Sequence, residues 1–107
     1  MMFKLIEIAA DEIRLDEVAV SAMLTKACRR RKPLWIEGVA TDCERVYFVC
    51  TDRPAEKGDV CYRLSRPALA LAAEFRMRYD AGFRTVGGFR LDDGYWILTE
   101  MTEKTEK

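Results

Sequence analysis

The sequence predicts an α+β domain. Its expected form is a six-stranded, mainly antiparallel sheet built from two β-α-β-β repeats, with two helices packed on one face. Three observations carry that expectation. The stretches "RKPLWIEGVATDCERVYFVCTD" and "AGFRTVGGFRLDDGYWILTE" share one plan: an apolar pair, a glycine, a turn on aspartate and a return through Tyr, an aromatic and aliphatics. Each follows a run with helical spacing, and each such run follows one with strand alternation. At 107 residues the chain suits a single modest core, so both halves should build one domain. The repeats are expected at about 2–52 and about 58–102.

The first strand is read in "FKLIEIA", residues 3–9, where β-favouring residues alternate. Residues 10–15 read as a connection. Asp16 is the expected N-cap of a helix, with Glu17 in its first turn. The apolar stripe of that helix is Val20, Leu24, Ala27 and Cys28, with Met23 beside it. The basic run Arg29–Lys32 falls in its last turn, complementing the helix dipole, and Pro33 stops it. Strands follow at about 34–41 and 45–51 around Asp42-Cys43-Glu44, and then a turn-rich loop, "DRPAEKG".

The second half restarts with "DVCYRLS", which puts Val60, Tyr62 and Leu64 on one face of a strand. Ser65 is the expected N-cap of the next helix and Pro67 stands in its first turn. Ala68, Leu71, Ala72, Phe75 and Tyr79 have amphipathic spacing and are expected to face the core. Glu74 and Arg78 form a supporting i,i+4 pair, and Gly82 is the expected residue after the helix end. Strands at about 84–91 and 95–101 close around Asp93-Gly94. The polar end of the chain, about 103–107, is expected to be a disordered tail.

A two-residue turn at Asp93-Gly94 sets Leu91 opposite Trp96, Phe89 opposite Leu98 and Gly87 opposite Glu100, on an inward face. Transferred to the first hairpin, that register puts Trp35, Val39, Phe48 and Cys50 inside. Its outward set is then Ile36, Gly38, Ala40, Tyr47 and Val49, which is very apolar for a face open to water. A partner subunit is the simplest cover for it, and a flat ligand is the alternative. Glu37 is the carboxylate this register places on the inner face in mid-strand.

The second hairpin, with Gly82, Phe83 and Val86, resembles the C-terminal half of small uncharacterised bacterial domains whose hairpin reads Gly-Trp-Glu-Leu-Val. Arg84 and Thr85 depart from that pattern, and the likeness covers about the last forty residues. The tandem β-α-β-β order also resembles the GyrI-like small-molecule-binding domains. That resemblance implies a ligand cleft between two such units with a carboxylate in it, a place Glu37, Trp35 or the tyrosines could fill.

Eighteen basic residues balance eighteen acidic ones, so no overall field recruits nucleic acid or a membrane. The run at Arg29–Lys32 and the scattered Arg63, Arg66, Arg76, Arg78, Arg84 and Arg90 leave a nucleic-acid contact as the third-ranked reading. No apolar run is long enough to span a bilayer and no signal peptide is seen, so a cytoplasmic location is expected. The four cysteines, Cys28, Cys43, Cys50 and Cys61, form no Cys-x-x-Cys pair and have no histidine to join them, so no metal is expected. The lack of histidine also removes the commonest general base. With no nucleophile and base pattern and no cofactor motif, the sequence reads as a non-catalytic binding or interaction module. It is expected to be a homo-oligomer through the outward sheet face, and the candidate binding residues are Ile36, Glu37, Tyr47, Arg90, Tyr95 and Ile97.

Overall fold

A computed structural model describes residues 3–30, 33–52 and 59–103. The loop expected around Arg53–Gly58 and the tail after Glu103 lie outside the described residues, as do Arg31 and Lys32. The order is β1 (Phe3–Ala9), α1 (Ala10–Leu15), α2 (Glu17–Cys28), β2 (Trp35–Thr41), β3 (Arg45–Thr51), β4 (Asp59–Ser65), α3 (Leu71–Asp80), β5 (Arg84–Leu91) and β6 (Gly94–Glu103). The fold is α+β, and every described strand pairing is antiparallel.

The single six-stranded sheet is not what forms. The strands make two sheets of three, ordered β1-β3-β2 and β4-β6-β5. In each, the last strand of a half lies between the other two. Where a joined sheet would need β2 and β5 to exchange hydrogen bonds, each strand is bulged instead, between Ile36 and Gly38 and between Thr85 and Gly87. A bulge breaks the ladder and twists the strand away from flat pairing. The two strands meet through side-chain packing, with Val39 Cγ1 3.0 Å from where a Cβ on Gly87 would stand. The small residue lets the two strands approach this closely, since a Cβ there would require Val39 to shift.

Both sheets turn one face to a shared core. Ile8, Val46, Phe48 and Cys50 come from the first, and Val60, Tyr62, Leu64, Phe89, Leu91, Trp96 and Leu98 from the second. Helix α2 adds Val20, Leu24 and Cys28 of the predicted stripe, with Ala27 half-buried and Met23 exposed, and Asp16 caps it by accepting from Ala19 N at 3.0 Å. Residues 10–15, read as a connection, form α1 and bury Ala10 and Ile13.

The contact that organises the second sheet is between α2 and β4, which stands at a sheet edge. Ser21 Oγ accepts from Leu64 N and Thr25 Oγ1 from Tyr62 N, both at 2.8 Å. Thr25 Oγ1 donates to Tyr62 O at 3.3 Å, and Arg29 Nε donates to Val60 O at 2.7 Å. Residues four apart on a helix advance about 6 Å, and residues two apart on a strand about 6.7 Å. Positions 21, 25 and 29 therefore keep step with 64, 62 and 60. The helix ends at Cys28, so Arg29 is its C-cap and not part of a basic last turn.

A second tie joins the sheets. Ile36 N donates to Tyr62 Oη at 2.7 Å, and that hydroxyl donates to Glu100 Oε2 at 2.5 Å, in the buried interior. Burial, and then the Glu100 hydrogen bond, push the Tyr62 phenol far above its usual range.

The two main helices do not share a face, contrary to expectation. Ile97 and Thr99 project to the opposite side of β6 from Trp96 and Leu98. On that side lies α3, whose Arg78 Nη2 donates to Ser65 Oγ at 2.9 Å. The helix starts at Leu71 and not near Pro67; its N-cap, Ala70, offers no side-chain hydrogen bond, and Ser65 stays in β4. Its C-terminal end is as expected: Gly82 has φ +95° and Phe83 N donates to Arg78 O at 2.9 Å. Among the described residues, no helix is long and apolar enough to cross a membrane.

Replacing Thr25 by Val keeps shape but leaves both backbone groups of Tyr62 without their partner. T25V should lose about 1–3 kcal/mol in urea unfolding, the usual cost of unpaired polar groups, whereas T25S should stay near wild type.

Candidate functional site

The site is assembled by α3, and its starting point is an inversion. The buried residues of this helix are Glu74 and Arg78, at 2% and 8% exposure, while Leu71, Phe75, Met77 and Tyr79 are all exposed. The stripe predicted to face the core therefore faces outward. The reason lies beneath the helix, where the outer face of the second sheet offers Arg63, Ser65 and Thr99. A polar floor of that kind is matched by an ion pair better than by leucine and phenylalanine.

The Glu74 carboxylate is fully engaged. Its Oε1 accepts from Ala68 N at 2.8 Å and Leu69 N at 3.1 Å, and its Oε2 accepts from Arg78 Nε at 2.7 Å. These bonds, the arginine first, hold its pKa below the usual carboxylate range despite burial. Glu74 thereby fastens the segment before α3 to the helix.

Arg78 is incompletely engaged. Its Nε meets Glu74, and its Nη2 meets Ser65 Oγ and, at 3.4 Å, Arg66 O. Its Nη1 is buried and has no hydrogen-bond partner among the described residues. With 9% of the side chain exposed, such a donor is costly unless something accepts from it.

Arg78 lines a cavity of about 250 Å³ between α3 and the sheet. Its walls are Arg63, Ser65, Arg66, Thr99, Glu74 and the apolar Met77, Ala81 and Phe83. Arg66 pairs with Asp93 and lies 4.9 Å from the centre of the Trp96 ring. Arg63, exposed at the rim, makes no ion pair among the described residues. Three arginines against Glu74 and Asp93 leave the cavity with an excess of positive charge.

The six residues singled out from the sequence do not converge. Ile36 is fully buried in the core and Glu37 is exposed, the reverse of their expected placement, because the bulge skips Glu37 and turns Ile36 inward. Tyr47 stands half-buried on the outer face of the first sheet, and its hydroxyl donates to Asp42 Oδ2 at 3.1 Å within its own hairpin. Arg90 and Tyr95 are cross-strand partners in the other sheet, and the Tyr95 ring lies over Gly88. Ile97 is fully buried on the α3 side of β6. The turn between β5 and β6 is Asp92-Asp93, one residue earlier than expected, so Phe89 faces Trp96 and Gly87 faces Leu98. That shift of two keeps the predicted inward set inward.

The outward apolar strip of the first sheet is present, enlarged by β1. Phe3 and Leu5 are 65% and 42% exposed beside Val49, Tyr47, Gly38 and Ala40. Cys28 and Cys50 are both buried, and the Cys28 thiol is pushed far up by its hydrogen bond with Cys50 and then by burial. Among the described residues, no cluster of three or more Cys, Asp or Glu is arranged to hold a metal. No family model, no curated protein and no solved structure matches the chain.

Because the folded pKa of Glu74 lies below its unfolded value, it contributes stability above about pH 4.3, lost as pH falls through the folded pKa. Urea unfolding as a function of pH should therefore show E74Q losing about 3 kcal/mol near neutrality, with the difference from wild type shrinking in acid.

Proposed function

We propose that this chain is a non-catalytic module that binds a small organic anion in the cavity beneath α3. The observation that carries the reading is Arg78 Nη1, a buried cationic donor without an acceptor among the described residues, in a cavity that also holds Arg63 and Arg66. A carboxylate or phosphate oxygen would accept from it through a charge-assisted hydrogen bond, with Arg63 offering a second. A volume of about 250 Å³ falls just below the usual range for ligand sites, which favours a compact head group.

The same residues argue against catalysis. Ser65 Oγ accepts from Arg78, and Thr99 Oγ1 donates to Arg63 O at 3.3 Å, so among the described residues neither hydroxyl donates to a basic side chain. Glu74, held ionised by three hydrogen bonds, one of them from the Arg78 guanidinium, is poorly suited to carry a proton. The reading shares with the GyrI-like expectation only the class of partner, since this cavity lies on the outer face of one sheet and its polar wall is cationic. The exposed strip around Phe3, Leu5 and Tyr47 is the competing surface. Among the described residues it presents no buried polar side-chain atom without a partner, and nothing on it specifies an occupant.

Titration with acetate and with inorganic phosphate, followed by amide chemical shifts, tests the reading. The expected outcome is saturable shifts at Ala81, Phe83 and Thr99, with affinity reduced about tenfold or more in R63M, the loss of one charge-assisted bond. Arg63 is exposed and outside the Glu74–Arg78 pair, so the fold should not suffer. Absence of saturable shifts at those residues, or unchanged affinity in R63M, would contradict it.

A further inference from the structure

The anion cavity has a neighbour. Phe75, Arg76, Tyr79, Phe83, Arg84 and Thr85 line an open groove of about 480 Å³ on the outward side of α3. Phe83, half-buried after the helix end, lines both the groove and the cavity. It is the wall they share.

The groove is a consequence of the inverted helix. Phe75 and Tyr79 are 37% and 75% exposed, one turn apart on the same side of α3, so their rings form a continuous aromatic strip. Beside the strip the Arg76 guanidinium meets Asp80 at 3.5 Å on the exposed side of the helix, while the Arg84 guanidinium turns to Glu100 Oε1 at 3.1 Å, on the other face of the sheet. Aromatic rings and guanidinium planes both favour a flat partner, by ring stacking and by cation–π attraction. An exposed strip of this composition, continuous through Phe83 with a cationic cavity, fits a molecule with a charged end and a flat end.

We infer that the ligand is an aryl carboxylate, its carboxylate in the cavity with Arg78 and Arg63 and its ring crossing Phe83 onto Phe75 and Tyr79. The inference rests on the anion-binding reading and adds the chemical class of the ligand to it. Binding is non-covalent and needs no co-reactant.

The test compares acetate, phenylacetate, 3-phenylpropanoate and 4-phenylbutanoate, with 4-phenylbutanol as the neutral control. Affinities are read from amide shifts in wild type and in F75A/Y79A. Both positions are exposed, so the double variant should fold; its circular dichroism is checked first. The expected result is affinity at least tenfold above acetate for the best aryl member, with that gain abolished in F75A/Y79A and acetate binding unchanged. Equal affinity for acetate and every aryl member, or a gain that survives F75A/Y79A, overturns the inference and leaves the anion site standing. Failure of every carboxylate to bind, or equal binding of the neutral alcohol, overturns the anion site and the inference together.

Discussion

Ser21 and Thr25, one helical turn apart, take the place of a missing strand beside β4. An open sheet edge presents a row of unpaired amides and carbonyls, and it must be paired, covered or made unattractive to other chains. Here a helix does the covering, and it does so in register, because the advance of one helical turn nearly equals that of two strand residues. The same helix faces the other way with Val20, Leu24 and Cys28, which complete the core between the two sheets. One element therefore closes an edge and fills an interior.

That assignment leaves α3 a different task. With the inner side of the second sheet occupied, α3 lies on the outer side, above a floor of Ser65, Thr99 and Arg63. It meets that floor with an ion pair whose desolvation is offset only by close geometry and extra hydrogen bonds, and Glu74 obtains all of these. Arg78 obtains all but one set. The cavity, the unsatisfied Nη1 and the outward aromatic strip are three consequences of one inverted helix. They lie side by side, with Phe83 common to two of them.

The alternation and spacing of the sequence located all six strands and the C-terminal end of α3, because those signals are local. The inward set of the second hairpin was legible for the same reason, even though the turn sat one residue away, since a shift of two preserves the face. Ile36 and Glu37 were exchanged because a bulge leaves no mark in composition; only Gly38 hinted at it. The side of α3 that is buried was not legible at all. Leu71, Phe75 and Tyr79 have the spacing of a core stripe, and no local rule says that another helix already holds the core. Glu74 and Arg78 looked like an exposed supporting pair, a pattern identical in sequence to the buried one that forms. Sheet number was lost in the same way, because separation of β2 from β5 depends on how two halves meet.

The claim that α2 serves as the edge partner of β4 is tested most directly by native-state amide hydrogen exchange. Tyr62 and Leu64 have amides pointing at Thr25 and Ser21, whereas Cys61 and Arg63 alternate toward β6. The account predicts equal protection for all four, with exchange only through global unfolding. Rapid exchange at Tyr62 and Leu64, beside slow exchange at Cys61 and Arg63, would show an open edge and contradict it.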